Sequence, residues 1–453
     1  MNDISKRTYF ALALAGILLF GLVAFAVRYF LFSDQWVTFA GSPHVYSSGV
    51  LNTGTVLDRS GVQLLDTDGG RTYAYDSSTR RATVHILGDR AGNIPPQVLT
   101  HYASTLVGYD KLSGTNHSSS AGELQLTVSS QAQVIALQAL GGRKGTVGVY
   151  NYKTGEILCA ASSPTFDPED PPTQVDDTSG LYVYRFFHAA YTPGSIFKLV
   201  TAEAALESMP EVESQRFVCT GSTVINGETI TCPQAHGEMS FQQAMASSCN
   251  CTFAQIAVDV GPGKLVEIAN RIGVNEAFTV DGLYTTSGNF DLTNAGENDV
   301  AWAGVGQYTD LVNPYQFLRY MGAVANGGRG AEPYLVYQAK NNGNIKYRAK
   351  TELTAELISP QAAARLQEMM RYNVEAIYGT WNFPQNVKVC AKSGTAETGS
   401  DNNTATFAGF VLDERYPLAF IVVVEEGGAG SSTCAPIAGT VLQACINVMD
   451  GES

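Results

Sequence analysis

Several signatures that would mark common functions are missing from this chain of 453 residues. No run of basic residues occurs and the formal net charge is −14, which argues against nucleic acid as a partner. There is no Gly-x-x-x-x-Gly-Lys-[Ser/Thr] to cradle a nucleotide phosphate and no Gly-x-Ser-x-Gly elbow for a hydrolase nucleophile. The six histidines are scattered, and neither Cys-x-x-Cys nor His-Glu-x-x-His is present, so the expected metal and cofactor complement is none. Internal repeats are absent. The length itself implies two or three structural units with ample core.

Of what is present, Tyr191-Thr-Pro-Gly-Ser-Ile-Phe-Lys198 organises the rest. Thr192 is expected to cap a helix and Pro193 to occupy its first position, where a missing N–H goes unnoticed. The helix-favouring run Ile196 to Met209 continues it, placing Ser195 in the first turn among unpaired backbone N–H groups. Lys198, three residues on, shares its face. A desolvated amine can take the proton of a serine hydroxyl, and the Ser195 N–H can hold a developing oxyanion. A chain of this composition holds about one Ser-x-x-Lys by chance, so partner motifs must decide.

The partners of such a site are a Ser-x-Asn and a Lys-[Ser/Thr]-Gly. Lys153-Thr-Gly155 lies between two apolar runs and reads as a hairpin turn, whereas Lys392-Ser-Gly394 is embedded in the β-rich run Val387–Ala396. A lysine on an edge strand there would fix a substrate carboxylate, and the Thr395 N–H would be a second oxyanion donor. Among the Ser-x-Asn matches, Ser400-Asp-Asn402 has turn composition and Ser287-Gly-Asn289 lies in a Gly/Thr-rich loop. Ser248-Cys-Asn250 lies in the apolar, largely helical segment Phe241–Val260 and is preferred. The expected site is therefore Ser195, Lys198, Ser248, Asn250 and Lys392, with Ser393, Gly394 and Thr395 binding substrate.

With these motifs in this order the sequence resembles the monofunctional class B penicillin-binding transpeptidases. The resemblance extends to Asn151-Tyr-Lys-Thr-Gly-Glu-Ile-Leu158, Ser162-Ser-Pro-Thr-Phe-Asp-Pro168, His236-Gly-Glu-Met-Ser-Phe-Gln-Gln-Ala244, Gly304-Val-Gly-Gln307, Asn313-Pro314, Ala325-Asn-Gly-Gly328 and Lys392-Ser-Gly-Thr-Ala-Glu397, over roughly residues 124–450. Cys249 stands where the family often has Asp, and Ser393 keeps the hydroxyl of the more usual Thr. The resemblance implies a D,D-transpeptidase acting on D-Ala-D-Ala termini of peptidoglycan stem peptides, acylated on Ser195 by β-lactams. In it Lys198 would be the base, Ser248 a proton relay, and Asn250 a contact to the peptide backbone. It further implies a multi-span glycan polymerase of the SEDS type as partner. The rivals are a D,D-carboxypeptidase or β-lactamase, where water replaces the acceptor amine, a β-lactam sensor, and an idle scaffold in a cell-wall assembly.

The expected fold class is α+β: an antiparallel sheet flanked by helices plus an all-helical subdomain. Residues 1–33 form a cytoplasmic tip and membrane anchor, 34–123 a non-catalytic pedestal with β content, and 124–453 the transpeptidase domain. The apolar run Thr8–Val27 follows Lys6-Arg7, long enough to cross a bilayer with the N-terminus cytoplasmic and the catalytic part outside. A cleaved signal peptide ending at Ala24-Phe-Ala26 competes, but the run exceeds the usual apolar length and Tyr29-Phe-Leu-Phe32 extends it. A hairpin is expected at Arg59-Ser-Gly61, loop composition at 113–122, and a closing meander followed by a helix, Ala435–Met449. Of eight cysteines, Cys219 and Cys232 flank a loop that returns on itself, so a disulfide between them and two buried thiols are both open. Cys249 and Cys251 should face different sides of one helix.

Overall fold

The computed structural model describes residues 2–39, 54–67, 70–114, 122–176, 178–397 and 403–451, together with residues 42, 46, 47, 50 and 51. The loop expected over 113–122 and the Ser-Asp-Asn at 400–402 lie largely outside the described residues.

Two sheets carry the architecture. The central one has five strands in the order Val389–Ala396, Thr404–Val411, Leu418–Val424, Gly145–Asn151, Ile157–Ser163, all antiparallel. Every residue of its three middle strands is buried, which explains why Leu418–Val424 reads as one unbroken apolar run rather than an alternation. One face is covered by the helices Gly430–Asp450 and Ser130–Leu140, the other by Pro314–Ala325 and the helical part around Lys198–Ser208. The expected hairpin turn at Lys153–Gly155 is present, with Gly155 at φ 92° and Lys153 paired to Glu414. Val389–Ala396 is an edge strand, as its position beside a nucleophile requires.

The second sheet has six strands in the order Asn344–Arg348, Val336–Asn341, Gly122–Leu126, Thr55–Leu57, Gln63–Asp66, Thr72–Tyr73. It joins the N-terminal region to strands from the middle of the catalytic region, with Thr55–Leu57 running parallel to Gly122–Leu126. The expected boundary at 123/124 therefore falls inside a strand, because the edge of Val336–Asn341 is paired by the region before it rather than left open. Buried Val56, Leu64, Leu65, Leu124, Leu126, Val336 and Ala339 anchor this sheet.

The N-terminal helix Asn2–Val37 is apolar and exposed, and its segment Ile4–Ser33 is long enough to cross a membrane. The closing helix Gly430–Asp450 also passes that length test, but it is packed on the central sheet as a core helix.

Candidate active site

The nucleophile region departs from the expected helix start. Thr192 makes no capping bond; Gly194–Phe197 is a 3₁₀ turn, and the α-helix begins only at Lys198 and runs to Ser208. Tertiary clamps set the turn instead of a cap. The Gly194 N–H donates to Gly306 O at 3.0 Å, and the Thr406 hydroxyl donates to Pro193 O at 3.0 Å. Gly194 sits at φ 56°, and a Cβ there would meet Thr395 O at 2.6 Å, so the turn lies directly against the edge strand. Below it Phe197 stacks on Phe290 at 4.8 Å between ring centres, fixing the turn to the helical part.

Ser248-Cys-Asn250 sits at the break between the helices Phe241–Ala246 and Asn250–Val260, not within one. A capping box at Ser240 and Gln243 starts the first helix, and Cys249 caps the second through the Thr252 N–H. Ser248 is held at φ 54°, a strained conformation for a residue with a Cβ, and this aims its carbonyl and hydroxyl at the same lysine.

Five of the expected residues meet around two buried amines. Lys198 Nζ lies 2.9 Å from Ser195 Oγ, 2.8 Å from Ser248 O, 3.2 Å from Ser248 Oγ and 2.7 Å from Asn250 Oδ1. Lys392 Nζ donates to Ser248 Oγ at 3.0 Å and to Ser393 O at 2.8 Å. Both lysines are 0% exposed, while Ser195, Ser248 and Asn250 are half-buried, so the hydroxyls can be reached and the amines cannot be solvated. Burial holds the Lys198 amine down to about 7, and burial together with the Lys198 charge pushes Lys392 well below its usual range. Ser248 O and Asn250 Oδ1 can only accept, so they take the two N–H groups of a neutral Lys198. Its lone pair is then left for the Ser195 hydroxyl.

The edge strand presents Ser393 and Thr395, both half-buried, on one side of a chain whose other residues here are buried. The Ser393 N–H donates outward to Tyr378 Oη at 3.0 Å, and Thr395 O accepts outward from Gln307 Nε2 at 3.1 Å. In a strand the N–H and C=O of one residue point the same way and repeat every second residue, so the Thr395 N–H also faces outward, away from the paired strand Thr404–Val411. The Thr395 Oγ1 accepts from the Gly430 N–H at 3.2 Å, leaving its own proton to donate. Gly394 is required by crowding: a Cβ would meet Thr406 Oγ1 at 2.2 Å and Pro193 O at 2.7 Å.

Three features differ from the sequence expectations. Lys392 reaches Ser248 rather than an open carboxylate pocket, because its side chain is buried on the same side as Lys198. Tyr378, unremarked in the sequence, occupies both the Ser393 N–H and the Ser393 hydroxyl (3.0 Å), and no motif flags it, since it arrives from a π-helical turn Val374–Tyr378. Gln307 likewise reaches Thr395 from the block Gly304-Val-Gly-Gln307, read only by resemblance. Asn289 is engaged with Leu311 and Thr309, outside this cluster.

The Cys219–Cys232 disulfide is not formed; all eight cysteines are free thiols. Cys232 instead points at the Ser248–Asn250 turn, with its sulfur 3.7 Å from Cys249 Sγ and 3.4 Å from Cys251 Sγ. Cys249 and Cys251 therefore face a common neighbour. The helical-spacing argument fails because Cys249 is extended, at φ −62° and ψ 112°, rather than helical.

A family profile described as "Penicillin binding protein transpeptidase domain" matches residues 145–443. The chain is 27% identical over 368 residues to the peptidoglycan D,D-transpeptidase PbpA of Mycolicibacterium smegmatis, covering 72% of each. The crystal structure of the D,D-transpeptidase domain of a peptidoglycan glycosyltransferase from Eggerthella lenta superposes with a TM-score of 0.75 at 27% identity, covering 87% of this chain and 98% of that one. The penicillin G acyl-enzyme of penicillin-binding protein A from Mycobacterium tuberculosis superposes with a TM-score of 0.73 at 22% identity, covering 87% and 99%.

Proposed function

The chain belongs to the penicillin-binding protein transpeptidase family, and on that premise we propose how its own residues perform the reaction. The protein is a serine-type peptidoglycan D,D-transpeptidase that cross-links stem peptides and is acylated by β-lactams. The observation that carries the residue assignment is the bridging of Ser195, Ser248 and Asn250 by a buried Lys198 amine.

Ser195 Oγ attacks the penultimate D-Ala carbonyl as Lys198 Nζ takes its proton. The N–H groups of Ser195 and Thr395 receive the oxyanion. The proton returns through Ser248 Oγ, which lies within reach of both amines, to the departing D-Ala nitrogen. Lys392 donates to that hydroxyl and orients it, while Ser393 and the Thr395 hydroxyl hold the terminal carboxylate. Asn250 orients Lys198 and the substrate backbone. An amine from a neighbouring stem then attacks the acyl-enzyme along the same path in reverse.

The protein is a membrane protein carried by the apolar helix within residues 4–33. Lys6 and Arg7 favour a cytoplasmic N-terminus and an external catalytic part. Residues 34–123 act as a pedestal, and a separate SEDS-type glycan polymerase would supply the strands to be joined. The deciding experiment is labelling of the purified protein by a fluorescent penicillin. Stoichiometric labelling of the wild type and none of Ser195→Ala is expected; a folded wild type that takes no label would overturn the enzyme assignment in favour of a scaffold.

A further inference from the structure

Four of the eight cysteines, Cys219, Cys232, Cys249 and Cys251, gather at one point and are absorbed by no step of the reaction. Cys219, Cys232 and Cys249, together with a ring nitrogen of His236, bring four ligand atoms within 4.8 Å of one another. We propose that Cys219, Cys232, His236 and Cys249 bind one zinc ion, which ties the hairpin insertion to the turn bearing Ser248 and Asn250.

Four zinc-bonded atoms at the corners of a tetrahedron with ~2.3 Å metal–sulfur bonds stand about 3.8 Å apart. Cys232 Sγ and Cys249 Sγ are 3.7 Å apart. The fold assembles the set from separate places. Strand Arg216–Cys219 pairs with Gly237–Ser240 in the register Cys219↔Gly237, which sets Cys219 beside His236. The hairpin Ser222–Ile225 and Glu228–Thr231 returns the chain to Cys232, and Asn250 Nδ2 donates to Thr231 O at 2.9 Å. Cys219 is 1% and Cys249 0% exposed, while Cys232 and His236 are half-buried.

The surroundings suit thiolates and a bare imidazole nitrogen. Cys232 Sγ accepts from the N–H groups of Asn250 at 3.1 Å and Cys251 at 3.4 Å. Cys249 Sγ accepts from the Thr252 N–H at 3.5 Å and the Thr252 hydroxyl at 3.3 Å. Such donors around a sulfur favour its anionic, metal-bound form. His236 Nδ1 is shielded from solvent without a hydrogen-bond partner. A lone pair left so would be an unexplained cost, and a metal ion satisfies it. Three soft sulfurs with one imidazole and no open position match a structural zinc site rather than a magnesium, calcium or hydrolytic one. Binding displaces three thiol protons and leaves one net negative charge. The expectation of no metal from the sequence rested on compact motifs; here the ligands are 13, 4 and 13 residues apart and only the hairpin unites them.

The full chain, purified in detergent and reduced, is incubated with zinc and desalted, and metal per chain is measured by plasma mass spectrometry. About one zinc per chain is expected, falling at least tenfold in Cys219→Ser and in His236→Ala but not in Cys251→Ser. Stripping with a strong chelator should slow fluorescent-penicillin acylation about 10- to 100-fold, with recovery on zinc but not magnesium. A reduced wild type that retains no zinc overturns the proposal, and so does finding these cysteines as disulfides in the protein isolated without reductant. Loss of metal in Cys251→Ser with retention in Cys219→Ser overturns the ligand set. Because zinc retention by the wild type is read directly, a misfolded variant cannot decide the outcome.

Discussion

At the scale of single residues, the amine of Lys198 governs the rate. It must be neutral to take the Ser195 proton, and burial holds it at about 7. Acylation by penicillin should therefore rise with pH through the neutral range and level off above it, since protonation occupies the lone pair. The half-maximal rate should fall near neutral pH, because burial is the largest influence on that amine. Stopped-flow acylation at a series of pH values checks both statements; a flat profile would remove Lys198 as base. Tyr378 offers a second test. Tyr378→Phe keeps the ring packed edge-on against Phe407 at 5.2 Å but strips the partner from the Ser393 N–H and hydroxyl. An unpaired group of this kind costs about 1–3 kcal/mol, read as a lower melting temperature, and the loosened Ser393 should weaken β-lactam binding more than it slows the acylation step.

At the scale of elements, what matters is how closely the serine turn and the edge strand approach. Gly394→Ala would drive a methyl into Thr406 Oγ1 and Pro193 O and part the two. A displacement of about 1 Å in a site like this costs roughly 10²-fold in rate. Such a loss of acylation with the helical content unchanged by circular dichroism is the expected result. Part of this is legible in the motifs: type and spacing point to Ser195, Lys198, Ser248, Asn250 and Lys392, which the fold brings together, and the expected closing meander corresponds to Val389–Ala396, Thr404–Val411 and Leu418–Val424. Other parts were not legible. The 3₁₀ turn replaces the expected α-helix start because Gly306, Thr406 and Thr395 clamp it from distant positions. Tyr378 carries no local signal, and of the two readings left open for Cys219 and Cys232 the structure has the free thiols, with Cys232 turned toward a third element, the Ser248–Asn250 turn.

At the scale of the whole molecule, strands from residues 55–73 and from residues 122–348 share one six-stranded sheet. A chain beginning at residue 54, without the apolar helix, should be soluble without detergent and acylate at the full rate. A chain beginning at residue 127 should not fold, because Val336–Asn341 loses the partner strand Gly122–Leu126 along its length and exposes Val336 and Ala339. Soluble yield and penicillin labelling of the two chains test this, and a fully active chain from residue 127 would show the pedestal to be dispensable.

That sheet also sets a timetable for the newborn polypeptide. Synthesis delivers Thr55–Leu57 early, its parallel neighbour Gly122–Leu126 next, and the strand Val336–Asn341 last of the three. At ribosomal speeds of about 5–20 residues per second, the earliest strand waits roughly 15 to 60 s for the sheet to be completed. Throughout that interval an unpaired β-edge is open to other chains.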